Sequence, residues 1–168
     1  MTIYREVLVV KRRTLGPEHP DTLATANNLA TVLNHEGEHA EAAIMLREVL
    51  VARRRVLGTE HPHTLTTNYN LAYALNSQGK HAEAATMYRD MLSVVQRVLG
   101  PEHPDTLATA NNLAAALGNQ GKHAEAATMY HELLPVVRWV LGPEHPHTLA
   151  TADNLAACSR DARSTPSH

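Results

Sequence analysis

The 168-residue sequence has no phenylalanine, one tryptophan and one cysteine, and its aromatic fraction is 4%. A single cysteine, Cys158, excludes an internal disulfide and a cysteine zinc site. No run of 18 apolar residues occurs, so no segment reads as a membrane span. The N-terminus MTIYREVLVVKRR carries its charges after and among its apolar residues, which is not the layout of a signal peptide. Net charge is -2 with histidine neutral, giving no ground for nucleic acid or an anionic membrane as partner. No glycine-rich phosphate loop is present, because each LGPEH-type segment holds one glycine. These absences lead us to expect a soluble, cytoplasmic, cofactor-free protein that is not an enzyme. Alanine and leucine carry the apolar load, which suits closely packed helices better than a sheet core.

What is present is repetition. LGPEHPDTLATANNLA begins at Leu15 and returns almost unchanged at Leu99, with close variants at Leu57 and Leu141, each start 42 residues from the last. A fixed period of this length points to stacked supersecondary units. Each unit holds two helical patterns. The first opens at His-Pro, with Pro20 at the first helical position, where a missing N–H costs nothing, and Asp21 near the positive end of the helix dipole. His63 and His147 replace that aspartate in two units and weaken the signal. Ala26, Leu29, Ala30 and Leu33 form one apolar face, and Gly37, Gly79 and Gly121 end the pattern. The second pattern runs from about His39 to Leu57, with Ala42, Ala43, Leu46, Val49, Leu50 and Val56 as its apolar side, and Gly58 breaks it.

The expected organisation is a half repeat at 1–15, units at about 19–57, 61–99 and 103–141, and a terminal helix at 145–159. Near the end Ser159 replaces a leucine and Arg163 a glycine, and 160–168 reads as a disordered tail.

The run Ala26-x2-Leu29-Ala30-x2-Leu33-x3-Gly37-x-His39-x2-Ala42-x3-Leu46-x2-Val49 resembles the tetratricopeptide repeat. The 42-residue length, the LGxEHPxTL link and NNLA look similar to the long repeats of kinesin light chains, and similar arrays occur in NB-ARC or NACHT signalling ATPases. The resemblance implies an all-α fold: an α–α superhelix, a right-handed solenoid of antiparallel helix pairs, with first helices lining a concave surface. It also implies a non-enzymatic scaffold whose groove binds an extended segment of a protein or peptide partner. The alternatives are a sensor fragment of a larger signalling protein, or an element that associates with itself head to tail through exposed terminal helices.

On that resemblance the groove positions are Asn27, Asn28 and Thr31, then Tyr69, Asn70 and Tyr73, then Asn111, Asn112 and Ala115, then Asp153, Asn154 and Ala157. Asn28, Asn70, Asn112 and Asn154 recur in every unit, and such amides can bond either a peptide backbone or neighbouring helices. Tyr69 and Tyr73 lie one turn apart, as an aromatic anchor or as space-filling. None of these positions is Lys or Arg, so the groove reads as neutral and polar.

His19, His61, His103 and His145 stand one per unit, roughly 10 Å apart, too far for joint metal ligation. A role as caps of the following helix fits them better. No metal site is expected; His61-x-His63 and His145-x-His147 offer two ligands without a third. KRR at 11–13 and RRR at 53–55 read as solvated helix ends. Trp139, where three arginines stand elsewhere, suggests local burial or a contact patch. Pro135 lies inside a helical pattern and should remove the bond to His131 and kink it. Cys158 replaces an alanine and reads as a small apolar residue.

Overall fold

The computed structural model describes residues 2–164. Among them are eight helices and no strand: α1 Thr2–Thr14, α2 Pro20–His35, α3 His39–Leu57, α4 Pro62–Ser77, α5 His81–Leu99, α6 Pro104–Asn119, α7 His123–Leu141 and α8 Pro146–Ser164. The fold is all-α, and the two-helix repeat is as the periodicity predicts. The chain divides into two compact units, Met1–Gln78 with α1 to α4 and Gly79–His168 with α5 to α8. In the first unit α3 packs against both α2 and α4, which also touch each other. The second unit repeats this with α7 between α6 and α8.

The links between repeats work as the sequence suggests. His19 Nδ1 accepts from the Asp21 N–H at 3.2 Å, His61 from His63 at 3.2 Å, His103 from Asp105 at 3.1 Å and His145 from His147 at 3.2 Å. Each imidazole thus satisfies one of the orphan amides of a helix start, a task an oxygen usually performs. Such a ring must carry its proton on Nε2, leaving Nδ1 as the acceptor. Proline follows at the first helical position each time. The second helices end at glycine, and Gly58, at φ 90° and ψ 168°, adopts backbone angles that only glycine tolerates.

The core is aliphatic. Ala26, Leu29, Ala30 and Leu33 of α2 and Ala42, Ala43, Leu46, Val49 and Leu50 of α3 are all buried. Val56 is not: it is 51% exposed, where the end of α3 borders an open cleft between α2 and α4. In the second unit Tyr130 takes the position of Leu46 and is buried too.

Two further expectations change. Arg160–Ser164 continue α8 where a disordered tail was expected to begin. Arg163 stands where the other first helices have their terminating glycine, so nothing there lets the chain turn out of the helix. Residues 165–168 of that tail lie outside the described residues. Trp139 is 81% exposed, so no local burial explains it. Pro135 does sit inside α7, which runs on to Leu141.

If the histidine caps hold the links, His61→Ala lowers stability by about 1 kcal/mol, the usual cost of a lost helix cap. Urea unfolding monitored by circular dichroism measures this, and an unchanged midpoint contradicts the assignment.

Candidate functional site

In the first unit the two first helices, α2 and α4, lie side by side, and their seam is polar. Thr67 Oγ1 lies 3.2 Å from Asn27 Oδ1, Asn70 Nδ2 donates to Thr31 Oγ1 at 3.2 Å, and Asn34 Nδ2 donates to the Asn70 carbonyl at 3.3 Å. Residues 27, 31 and 34 share one face of α2 at helical spacing. Asn27, Thr31 and Asn70, expected on the groove wall, therefore use these groups to hold the neighbouring helix. Asn27 is only 6% exposed and belongs to the interface.

Asn28, one residue on, is exposed, and its amide makes no hydrogen bond among the described residues. A step of 100° around the helix separates the interface amide from the free one. Tyr73 is 44% exposed, with its ring edge-on to His39 at a centroid distance of 6.2 Å. His39 is itself held, its Nδ1 lying 3.3 Å from Asn34 Oδ1. Tyr69 is half-buried. Of the two tyrosines, Tyr73 is the one the structure opens to solvent.

A cleft of about 400 Å³ opens along the N-terminal halves of α2 and α4. Asn27 and Asn28 line one side, His63 and Thr66 another, and Leu23 and Leu57 contribute apolar wall. Arg53, from the end of α3, also lines it. This corrects two expectations: Arg53 is not a solvated helix end, and the groove is not free of cations. Arg53 is only 4% exposed. Its Nη1 donates to the His63 carbonyl at 2.7 Å and to Thr67 Oγ1 at 2.6 Å. No carboxylate pairs with it among the described residues, and burial pushes its guanidinium below the ordinary arginine range. Arg55 behaves as expected, exposed and paired with Glu18.

A signal for Arg53 was available. It follows Leu46, Val49 and Leu50 at helical spacing, and the matching positions in later repeats are Val95 and Val137, both 3% exposed. One repeat earlier the matching residue is Lys11, whose Nζ donates to Thr25 Oγ1 at 3.0 Å and lies 3.4 Å from the Asp21 carbonyl.

The second unit builds the same seam differently. Thr151 Oγ1 lies 3.3 Å from Asn111 Oδ1, and the Tyr130 hydroxyl lies 3.4 Å from the Asn111 carbonyl. Asn111 therefore joins Asn27 as an interface amide. Burial raises the Tyr130 pKa, the Cys158 thiol beside it raises it further, and a hydrogen bond with Asn154 offsets part of this. Asn112 and Asn154 are half-buried, and Asp153 is exposed. Val137 joins Leu107 and Leu133 in an apolar cluster where the first unit has a cation. Ala115 and Ala157 are half-buried and bring no polar group to this face.

Cys158 is half-buried, and burial, then the charge of Asp161, raise its thiol pKa. Gly118 makes room for it: a Cβ there would stand 3.3 Å from Cys158 Sγ. Such a thiol stays protonated and is a poor nucleophile. The rings of His61 and His63 lie 5.2 Å apart and those of His145 and His147 5.3 Å. Among the described residues no three His, Cys, Asp or Glu gather as metal ligands, and no helix is long and apolar enough to cross a membrane.

The tetratricopeptide repeat family model matches residues 2–54, 24–94, 64–138 and 107–164. Among solved structures, two are crystal structures of a kinesin light chain-like protein of Podosopora anserina with nearly identical TPR-like repeats, one of them a single-substitution variant. The variant shares 28% identity, covering 96% of this chain and 76% of that one at a TM-score of 0.85. The other shares 28%, covering 96% and 77% at 0.83. BtubC (BKLC) from P. vanneervenii shares 22%, covering 96% and 65% at 0.79, a likeness of fold. No curated protein matches the sequence.

The interface and free amides separate in a stability experiment. Asn27→Ala leaves buried polar partners unsatisfied and costs about 1–3 kcal/mol. Asn28→Ala, on an exposed helix position, stays within about 0.5 kcal/mol of the parent. Equal costs in parallel thermal melts contradict this division.

Proposed function

From the premise that this chain belongs to the tetratricopeptide repeat family, we propose that it is a protein- or peptide-binding scaffold whose α2–α4 face receives an extended segment of a partner. Tetratricopeptide repeats commonly mediate protein interactions, and scaffolds of this kind are in general non-enzymatic. The observation that carries the reading is the cleft beside Asn28. Nearly every polar side chain at the seam is engaged with a neighbouring helix, yet Asn28 presents both a donor and an acceptor to open space. That pair is what an extended backbone needs, whatever its side chains. Tyr73, rigid and amphipathic, supplies contact area at low entropic cost on the same helix pair. Asn112 and Asn154 are the positions equivalent to Asn28 on the α6–α8 face of the second unit, with the exposed Asp153 beside Asn154.

A second reading has its own observation. Tyr4 and Val7 of α1 are 40% and 38% exposed, whereas their equivalents Leu46 and Val49 are buried. Leu149 of α8 is 49% exposed, whereas Leu23 and Leu107 are buried. A second copy placed head to tail would cover both faces. Sedimentation equilibrium over a hundredfold concentration range tests this. Mass rising with concentration, and reversed by Val7→Glu, supports it, and a constant monomer mass rejects it.

For the groove itself, peptides selected from a random display library bind the parent, and the pair Asn28→Ala with Tyr73→Ala weakens them about tenfold or more, the loss of one interface hot spot. The variant's melting curve stays close to the parent's. Undiminished affinity in a folded variant places the binding surface elsewhere and refutes the proposal.

A further inference from the structure

Arg53 has more donors than its structural task requires. Its Nη1 alone makes both bonds that tie the end of α3 to the start of α4. Lys11 makes the same tie one repeat earlier with a single ammonium. Val95 and Val137 fill the matching place with no polar atom at all. Arginine carries five N–H donors in a rigid fork, so Nη2 and Nε remain, and neither has an acceptor among the described residues. The side chain lines the cleft of about 400 Å³, space for one or two side chains. A buried cation bonded only to neutral acceptors carries an uncompensated desolvation cost.

We propose that this cleft is a carboxylate subsite, in which the surplus donors of Arg53 receive a glutamate or aspartate side chain of the segment lying along α2 and α4. The inference rests on the groove reading above and deepens it by naming a ligand group. The cation rises from the end of a second helix, so it approaches the ligand from the floor of the cleft. Asn28 on the rim remains free for the ligand backbone. Two acidic residues also line the cleft, and neither blocks an anion. Glu18 is paired with Arg55, and Asp21 has an accessible side chain, 4.0 Å from His19 Nδ1, where water screens it. The buried guanidinium acts through a medium of lower dielectric than either rim carboxylate. Capture of a carboxylate by the remaining donors adds bonds in which both partners are charged and compensates the buried charge.

The test is a titration of the nitrogen-15-labelled protein with two capped tripeptides, acetyl-Ala-Glu-Ala-amide and acetyl-Ala-Gln-Ala-amide, followed by NMR. The glutamate peptide shifts the Arg53 Nε–H and Asn28 side-chain signals, with an affinity about tenfold above that of the glutamine peptide, the difference expected of a charge-assisted fork. Arg53→Val, the residue of later repeats, abolishes that preference. Arg53→Lys, the residue of the earlier repeat, keeps the fold and weakens the preference, and it decides the matter if the valine variant fails to fold. Equal shifts from the two peptides overturn the carboxylate subsite and leave the groove standing. No shift from either overturns both, and a preference that survives in a folded Arg53→Val overturns the role of Arg53.

Discussion

A hydroxyl has one proton, and Thr67 has two acceptors within reach. The His63 carbonyl lies 2.9 Å from its oxygen and Asn27 Oδ1 3.2 Å. Arg53 enters the same cluster through both partners. By donating to the His63 carbonyl it satisfies that acceptor, and by donating to Thr67 it fills a lone pair of the hydroxyl. The same hydroxyl reaches Asn27 on the preceding first helix. Three helices, α2, α3 and α4, meet in this one chain of hydrogen bonds, and the cleft is the space above it. The knot ties one end of the seam, which Asn70 and Asn34 continue toward the other end, and it holds a cation at the cleft floor.

The second unit shows the same geometry with the cation removed. Thr151 lies 2.7 Å from the His147 carbonyl and 3.3 Å from Asn111, the same order of contacts that Thr67 makes. Val137 occupies the place of Arg53 and packs with Leu107 and Leu133. One packing solution is thus written in two chemistries, polar in the first unit and apolar in the second. Identical repeats would offer identical surfaces; these differ at the residues that line the first-helix face.

Much of this was legible in the sequence because a 42-residue period fixes where helices start and stop. The His-Pro starts, the histidine caps, the glycine stops and the apolar face of α2 all follow from local rules that need no neighbour. The site was less legible because its residues are defined by neighbours. Asn27 and Asn28 are adjacent letters of one type, and only the position of α4 decides which is buried. Arg53 lies within three consecutive arginines, and a charge run reads as solvent-facing. Its burial became legible only in comparison with the valines of later repeats and the acceptors that α4 brings. The end of α8 runs past the start of the polar tail because polar composition does not stop a helix, and Arg163 stands where the other first helices have their terminating glycine.

The claim most open to direct measurement is that Arg53 and Thr67 act as one unit. A double-mutant cycle of Arg53→Val and Thr67→Val, read by chemical unfolding, isolates their coupling from the separate effects of each change. A coupling of about 1–3 kcal/mol is predicted for a charged, buried hydrogen bond. Strictly additive effects would mean that the two side chains are neighbours without being partners, and the account of the cleft floor would fail with them.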